Sequence, residues 1–122
     1  MENEFEELLV KLSREHEKLF PDATTSSQAE KLEEELNELD KSKGSYEAIN
    51  ELADCFIVCA GLYRFVPQTA LLTMSGISNT VEELGYKEVF LKCVEAKWEF
   101  NKTRKWEVKD GYYHHIGEDS YD

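Results

Sequence analysis

The segment YEAINELADCFIVCAGLYRF, residues 46–65, constrains the fold more than any other, because it carries hardly any polar side chain after Asp54. A helix that is apolar on nearly every side is stable only when other elements surround it. The expectation is a central, buried helix over residues 45–65, opened by Ser45 with Glu47 and Ala48, around which the rest of the chain packs. Two acids, Glu51 and Asp54, interrupt this helix, and both share a face with Cys55 and Val58 at about 100° of rotation per residue. An unpaired carboxylate pointing at packed structure costs several kcal/mol (~3–5), so these two positions demand an explanation.

The flanking segments supply the expected wrapping. Residues 3–20 place Phe5, Leu8, Leu9, Leu12, Leu19 and Phe20 at a spacing near 3.6, which predicts an amphipathic helix ended by Pro21. The stretch TTSSQ offers N-caps, with Ser26 or Ser27 preferred, for a helix over residues 26–42 whose apolar stripe is Ala29, Leu32, Leu36 and Leu39. Lys41 to Gly44 end it. After Pro67, residues 68–84 read as a shorter helix or turn around LLTM, followed by weakly patterned polar sequence up to Gly85. A last long helix is predicted over residues 86–106, with Val89, Phe90, Val94 and Trp98 on one side. The tail, residues 107–122, alternates around Asp110-Gly111, a hairpin-turn dipeptide, and suggests a short ribbon or flap. The whole is an all-α bundle of four to five helices in one domain spanning 1–122, with a short tail and no internal repeat.

With 26 acidic against 14 basic residues the chain carries a formal charge of −12. Such a charge repels nucleic-acid backbones and anionic membrane surfaces. It still permits a polyphosphate ligand, provided that divalent cations bridge carboxylates to phosphate oxygens. Cys55, Cys59 and Cys93 fit neither a zinc spacing nor a disulfide framework, so reduced thiols are expected. MENEFEELLVKL lacks the basic start and apolar core of a signal peptide, and no run reaches the ~18 apolar residues of a membrane span. A cytoplasmic protein is the expectation.

The string EKLEEELNEL, then INELADCF after a helix break, sets out Glu35-x-x-Glu38 and Glu51-x-x-Asp54, with twelve residues between Glu38 and Glu51. Positions three apart on a helix point in about the same direction. Two antiparallel helices joined by a short turn would bring the pairs face to face. Taken alone, Glu35 and Glu38 read as solvated surface; the second pair, set in an apolar helix, is what calls for a cation. All-oxygen donors select a hard ion, Mg²⁺ first with Mn²⁺ as a substitute, and Mg²⁺ characteristically bridges carboxylates to substrate phosphates.

These residues resemble the two halves of the ExxE and ExxD motif of the all-α, MazG-like nucleotide pyrophosphohydrolases, and the likeness covers about residues 28–60. The resemblance implies Mg²⁺-dependent cleavage of a nucleoside triphosphate between the α and β phosphates, with Glu35, Glu38, Glu51 and Asp54 as metal ligands. It also implies that Glu34 orients or activates the water together with Glu35 and Glu38. Lys31 matches a lysine frequent in the family, although a helix-surface charge is an equal reading. Lys97, Asn101 and Arg104, at i, i+4 and i+7, present one polar face; in the family such residues lie over the phosphates and sugar, and here they could equally be a solvated helix end. Trp98, Trp106, Tyr112 and Tyr113 could stack on a base or serve the core or a subunit interface, and the adjacent His114 and His115 read as exposed and inert. A homodimer or dimer of dimers follows from the resemblance and from the apolar third helix. The rivals are a dUTPase-like or phosphoribosyl-ATP pyrophosphohydrolase and, outside enzymes, an acidic helical module that binds a basic protein.

Overall fold

Because the apolar central segment must be covered, every other helix of this chain is placed against it. A computed structural model describes residues 3–42, 44–109 and 112–116. It contains α1 (Glu4–Leu19), α2 (Thr25–Lys41), α3 (Gly44–Tyr63), α4 (Pro67–Leu84) and α5 (Lys87–Thr103), then β1 (Lys105–Lys109) and β2 (Tyr112–Ile116). The helices form an all-α bundle in which α1, α2, α4 and α5 all pack on α3. The strands pair antiparallel, Lys105 opposite Ile116 and Lys109 opposite Tyr112, as a short C-terminal ribbon. The expected turn, Asp110-Gly111, lies outside the described residues.

Local chemistry accounts for the helix ends. The Asn3 side chain caps α1 by accepting from the Phe5 and Glu6 N–H groups at 2.8 and 3.3 Å, and Glu4, Glu6 and Glu7 in the first turn complement the helix dipole. The N-cap of α2 is Thr24, in place of the expected Ser26 or Ser27. Thr24 Oγ1 accepts the Ser27 N–H at 3.0 Å while Ser27 Oγ accepts the Thr24 N–H at 2.9 Å, a reciprocal capping box that leaves Ser27 as its third helical residue. Gly44 opens α3 at φ 82°, which lets the chain reverse within a short connection.

Residues 68–84 depart furthest from expectation. They form one continuous helix, with Pro67 in its first turn and Gly85 closing it in the left-handed region at φ 79°. Its buried stripe is Ala70, Met74, Ile77, Ser78 and Val81; a small and a hydroxyl side chain at helical spacing dilute the apolar signal. Three expected core positions are exposed, Ala29, Leu36 and Val89. The last helix stops at Thr103, so that Trp106 belongs to β1.

Contacts that advance in step fix the directions of the helices. Glu4 pairs with Lys87 at 2.8 Å, the Phe5 and Phe90 ring centroids lie 6.0 Å apart, and Trp98 Nε1 donates to Glu15 Oε1 at 2.8 Å, so α1 and α5 run parallel. Between α2 and α3 the order is reversed, with Gln28 beside Gly61 and Glu35 beside Glu51 and Asp54. The core gathers Phe5, Leu9, Leu12, Phe56, Val81, Phe90, Val94 and Trp98 into one cluster. Among the described residues no helix is long and apolar enough to cross a membrane.

The upper end of the bundle is held by a close approach. A methyl group added at Gly61 would sit 2.7 Å from His16 Nε2 and would also collide with Gln28 Oε1. Overpacking of this kind costs about 1–3 kcal/mol, so Gly61→Ala should lower the unfolding free energy obtained from urea titration by that amount; an unchanged value would mean that the three helices separate freely there. His16 itself is buried between Phe20, at a ring distance of 4.7 Å, and Trp98, stacked at 6.0 Å. Burial, and then the nearby Arg64, push its pKa down to about 4. A folded pKa below that of the unfolded chain confers stability that is complete above pH 6.5 and is lost as pH falls towards 4. The urea midpoint should accordingly fall more steeply with acidification in the native protein than in His16→Leu, and parallel profiles would contradict the assignment.

Candidate functional site

The antiparallel packing of α2 on α3 carries three acids of the two sequence motifs into one place. One carboxylate oxygen each from Glu35, Glu51 and Asp54 lies within 4.8 Å of the others, and all three side chains are half-buried. Glu38, the fourth expected ligand, is exposed on the next turn of α2 and stands outside this group. Glu34 is also exposed and lies 4.0 Å from Lys31 Nζ.

Electrostatics single out Glu35. Burial first, then the charges of Asp54 and Glu51, push its pKa up to about 7, an effect that Lys31 partly offsets. Three acids on two helices thus carry a repulsion that the protein partly relieves by holding a proton near neutrality.

It also relieves the repulsion with an internal cation. Lys97 is buried, 5% exposed, and its Nζ lies 3.4 Å from each Asp54 oxygen. An ammonium withdrawn from water needs such a partner. Lys97 therefore belongs to the carboxylate group itself, and the open cationic face expected for Lys97, Asn101 and Arg104 is divided. Arg104 Nη1 donates to Asn101 Oδ1 at 3.2 Å, and its guanidinium lies over Phe100 and Trp106 at 5.0 and 5.8 Å from the ring centroids. Trp106 Nε1 donates to the Asn101 carbonyl at 3.0 Å.

Of the aromatic candidates, Trp98 is committed to the core, and Trp106 packs edge-on against Phe20 at 5.0 Å. The side chains of Tyr112, Tyr113, His114 and His115 lie outside the described part of the structure. The thiols of Cys55 and Cys59 are buried and pushed up to about 12, chiefly by burial, which keeps them protonated and unreactive. Asn50, which no linear motif marks, lies one turn before Asp54 and accepts from the Cys93 thiol at 3.4 Å.

Chemically, the donor set is all oxygen and net negative, which suits a hard divalent cation. Oxygens sharing one octahedral Mg²⁺ at about 2.1 Å stand about 3.0 Å apart when adjacent and about 4.2 Å when opposite, so a common ion would draw these three carboxylates closer together. The chain matches no protein-family model, no curated protein and no solved structure.

A pH-dependent stability follows from Glu35. Its folded pKa lies above that of the unfolded chain, so its contribution is complete below pH 4.5 and is lost as pH rises through about 7. In the presence of EDTA at pH 8, Glu35→Gln should therefore melt a few degrees above the native protein, while Mg²⁺ should raise the melting temperature of the native protein more than that of the variant. Equal melting temperatures, or equal Mg²⁺ shifts, would refute a shared carboxylate site.

Proposed function

We propose that this chain hydrolyses nucleoside triphosphates to nucleoside monophosphate and pyrophosphate, with Mg²⁺, or Mn²⁺ in its place, held by Glu35, Glu51 and Asp54 and by Glu38 at their open edge. The observation that carries this reading is the convergence of Glu35, Glu51 and Asp54 from two helices, with a buried lysine paired to Asp54; the MazG-like resemblance of the same residues supplies the reaction. The metal would contribute charge neutralisation and a lowered pKa for water.

The chain's own groups have definite tasks. Water oxygen attacks the α phosphorus, the bond to the bridging oxygen breaks, and pyrophosphate leaves with the electron pair. Glu34, Glu35 and Glu38, the acids of α2, are the candidate acceptors for the proton of the attacking water. Lys97 holds Asp54 in position. Arg104 and Asn101, joined to one another, and Lys31 offer donors to the phosphates. Removal of unwanted nucleotides from a cytoplasmic pool, by a homodimer or a dimer of dimers, agrees with the resemblance, and exposed Leu36, Leu72 and Leu84 agree with a partner subunit.

A second reading has its own support. Glu30, Glu33, Glu34, Glu38 and Asp40 are all exposed on α2, the surface that an acidic module would turn towards a basic protein. Pyrophosphate release separates the two. A panel of canonical and modified nucleoside triphosphates, including dUTP, and phosphoribosyl-ATP should yield pyrophosphate with Mg²⁺ and none with EDTA, and Glu51→Gln or Asp54→Asn should lower kcat by at least roughly a hundredfold. Absence of release across the panel, together with a melting temperature indifferent to Mg²⁺, would leave the binding module in possession.

A further inference from the structure

Beyond the carboxylate group, a cavity of about 400 Å³ opens between the first turns of α3 and α5, lined by Tyr46, Ile49, Asn50, Tyr86, Val89 and Cys93. Three of the large apolar side chains exposed on this protein stand here, Tyr46, Tyr86 and Val89. We propose that this cavity is the subsite for the flat heteroaromatic base of the nucleotide, a reading that rests on the function proposed above.

The argument is one of continuity. Asn50 meets Cys93 at 3.4 Å, and Asp54 meets Lys97 at 3.4 Å. The second contact is one turn further along both helices, so α3 and α5 run parallel and the Asp54–Lys97 pair lies one turn, about 6 Å, beyond the lining of the cavity. A ligand that reaches from the cavity to the carboxylates would meet tyrosine rings, aliphatic side chains and a single amide at one end and acids and a lysine at the other. A molecule with a charged, cation-binding end joined by a short link to an apolar, hydrogen-bonding ring matches both ends. A nucleotide has that division.

At the ring end, the phenol rings of Tyr46 and Tyr86 come from different helices and supply stacking surface. The Asn50 amide, which also donates to the Tyr46 carbonyl at 3.4 Å, retains one N–H and one oxygen lone pair with which to meet the edge of a base. Because Tyr46 is 81% exposed and Val89 57%, changing either leaves the core untouched.

Titration of the protein with unphosphorylated nucleosides, with EDTA present, tests the subsite without calling on metal or hydrolysis. At millimolar concentration, nucleosides should move the methyl resonances of Ile49 and Val89, ribose 5-phosphate and inorganic triphosphate should not, and Tyr46→Ala should abolish the movement. Loss of one stacking partner should raise KM for nucleoside triphosphates roughly tenfold with kcat little changed. Methyl shifts without pyrophosphate release, and with a melting temperature indifferent to Mg²⁺, would uphold a base-binding cavity and overturn the hydrolase reading. Pyrophosphate release with still methyls, and with KM unaltered in Tyr46→Ala and Val89→Glu, would overturn the subsite alone. Methyl shifts driven by protein concentration, with a sedimentation coefficient that Val89→Glu reduces, would assign the cavity to a second copy of the chain and overturn the proposal.

Discussion

Burial of α3 is the constraint on which the rest depends. From Ala53 to Leu62 its residues are almost all removed from solvent, which requires apolar partners on every side, and α1, α2, α4 and α5 provide them. The four carboxylates of the sequence motifs become interesting only in this setting. On a surface hairpin they would be solvated and independent. Here two of them sit on the central helix, and the covering helix α2 brings Glu35 down onto them, so that desolvation and mutual repulsion act together.

The protein answers that repulsion in two ways on one patch of structure, a proton on Glu35 near neutrality and the ammonium of Lys97 on Asp54. Both answers depend on helices that are distant in sequence. α5 is parallel to α1 and α3 and is tied to α1 by the Trp98 to Glu15 hydrogen bond, which fixes the level at which Lys97 reaches Asp54. The acidic group is therefore a property of three helices, and its chemistry is as rigid as their packing.

Much of this was legible in the sequence, for a physical reason. Long helices with strong periodicity, α1 and α2, and the almost continuously apolar α3 announce themselves, and the spacing of Glu35, Glu51 and Asp54 follows from the short reversal at Gly44. α4 was obscured because its buried stripe includes Ala70 and Ser78, which carry little apolar signal. The expected α2 cap, Ser26 or Ser27, lies two or three residues past the observed one because Thr24, Thr25, Ser26 and Ser27 can all cap, and only the reciprocal bond between Thr24 and Ser27 selects one. Lys97 could be read from spacing as part of a surface face, since helical period fixes relative direction and leaves the absolute rotation to packing. Asn50 and the cavity beside it have no linear signature at all, because they arise between the starts of two helices far apart in the chain.

The buried ammonium of Lys97 changes what an incoming ion must offer. A monovalent ion would bring Asp54 no more charge than the tethered ammonium already supplies, without the advantage of being attached, so sodium or potassium gains little by entering. A divalent ion of the kind proposed above would differ, since it could meet the oxygens of Glu35, Glu51 and Asp54 together. A single buried side chain would thereby set a valence threshold for any cation that enters this group of acids.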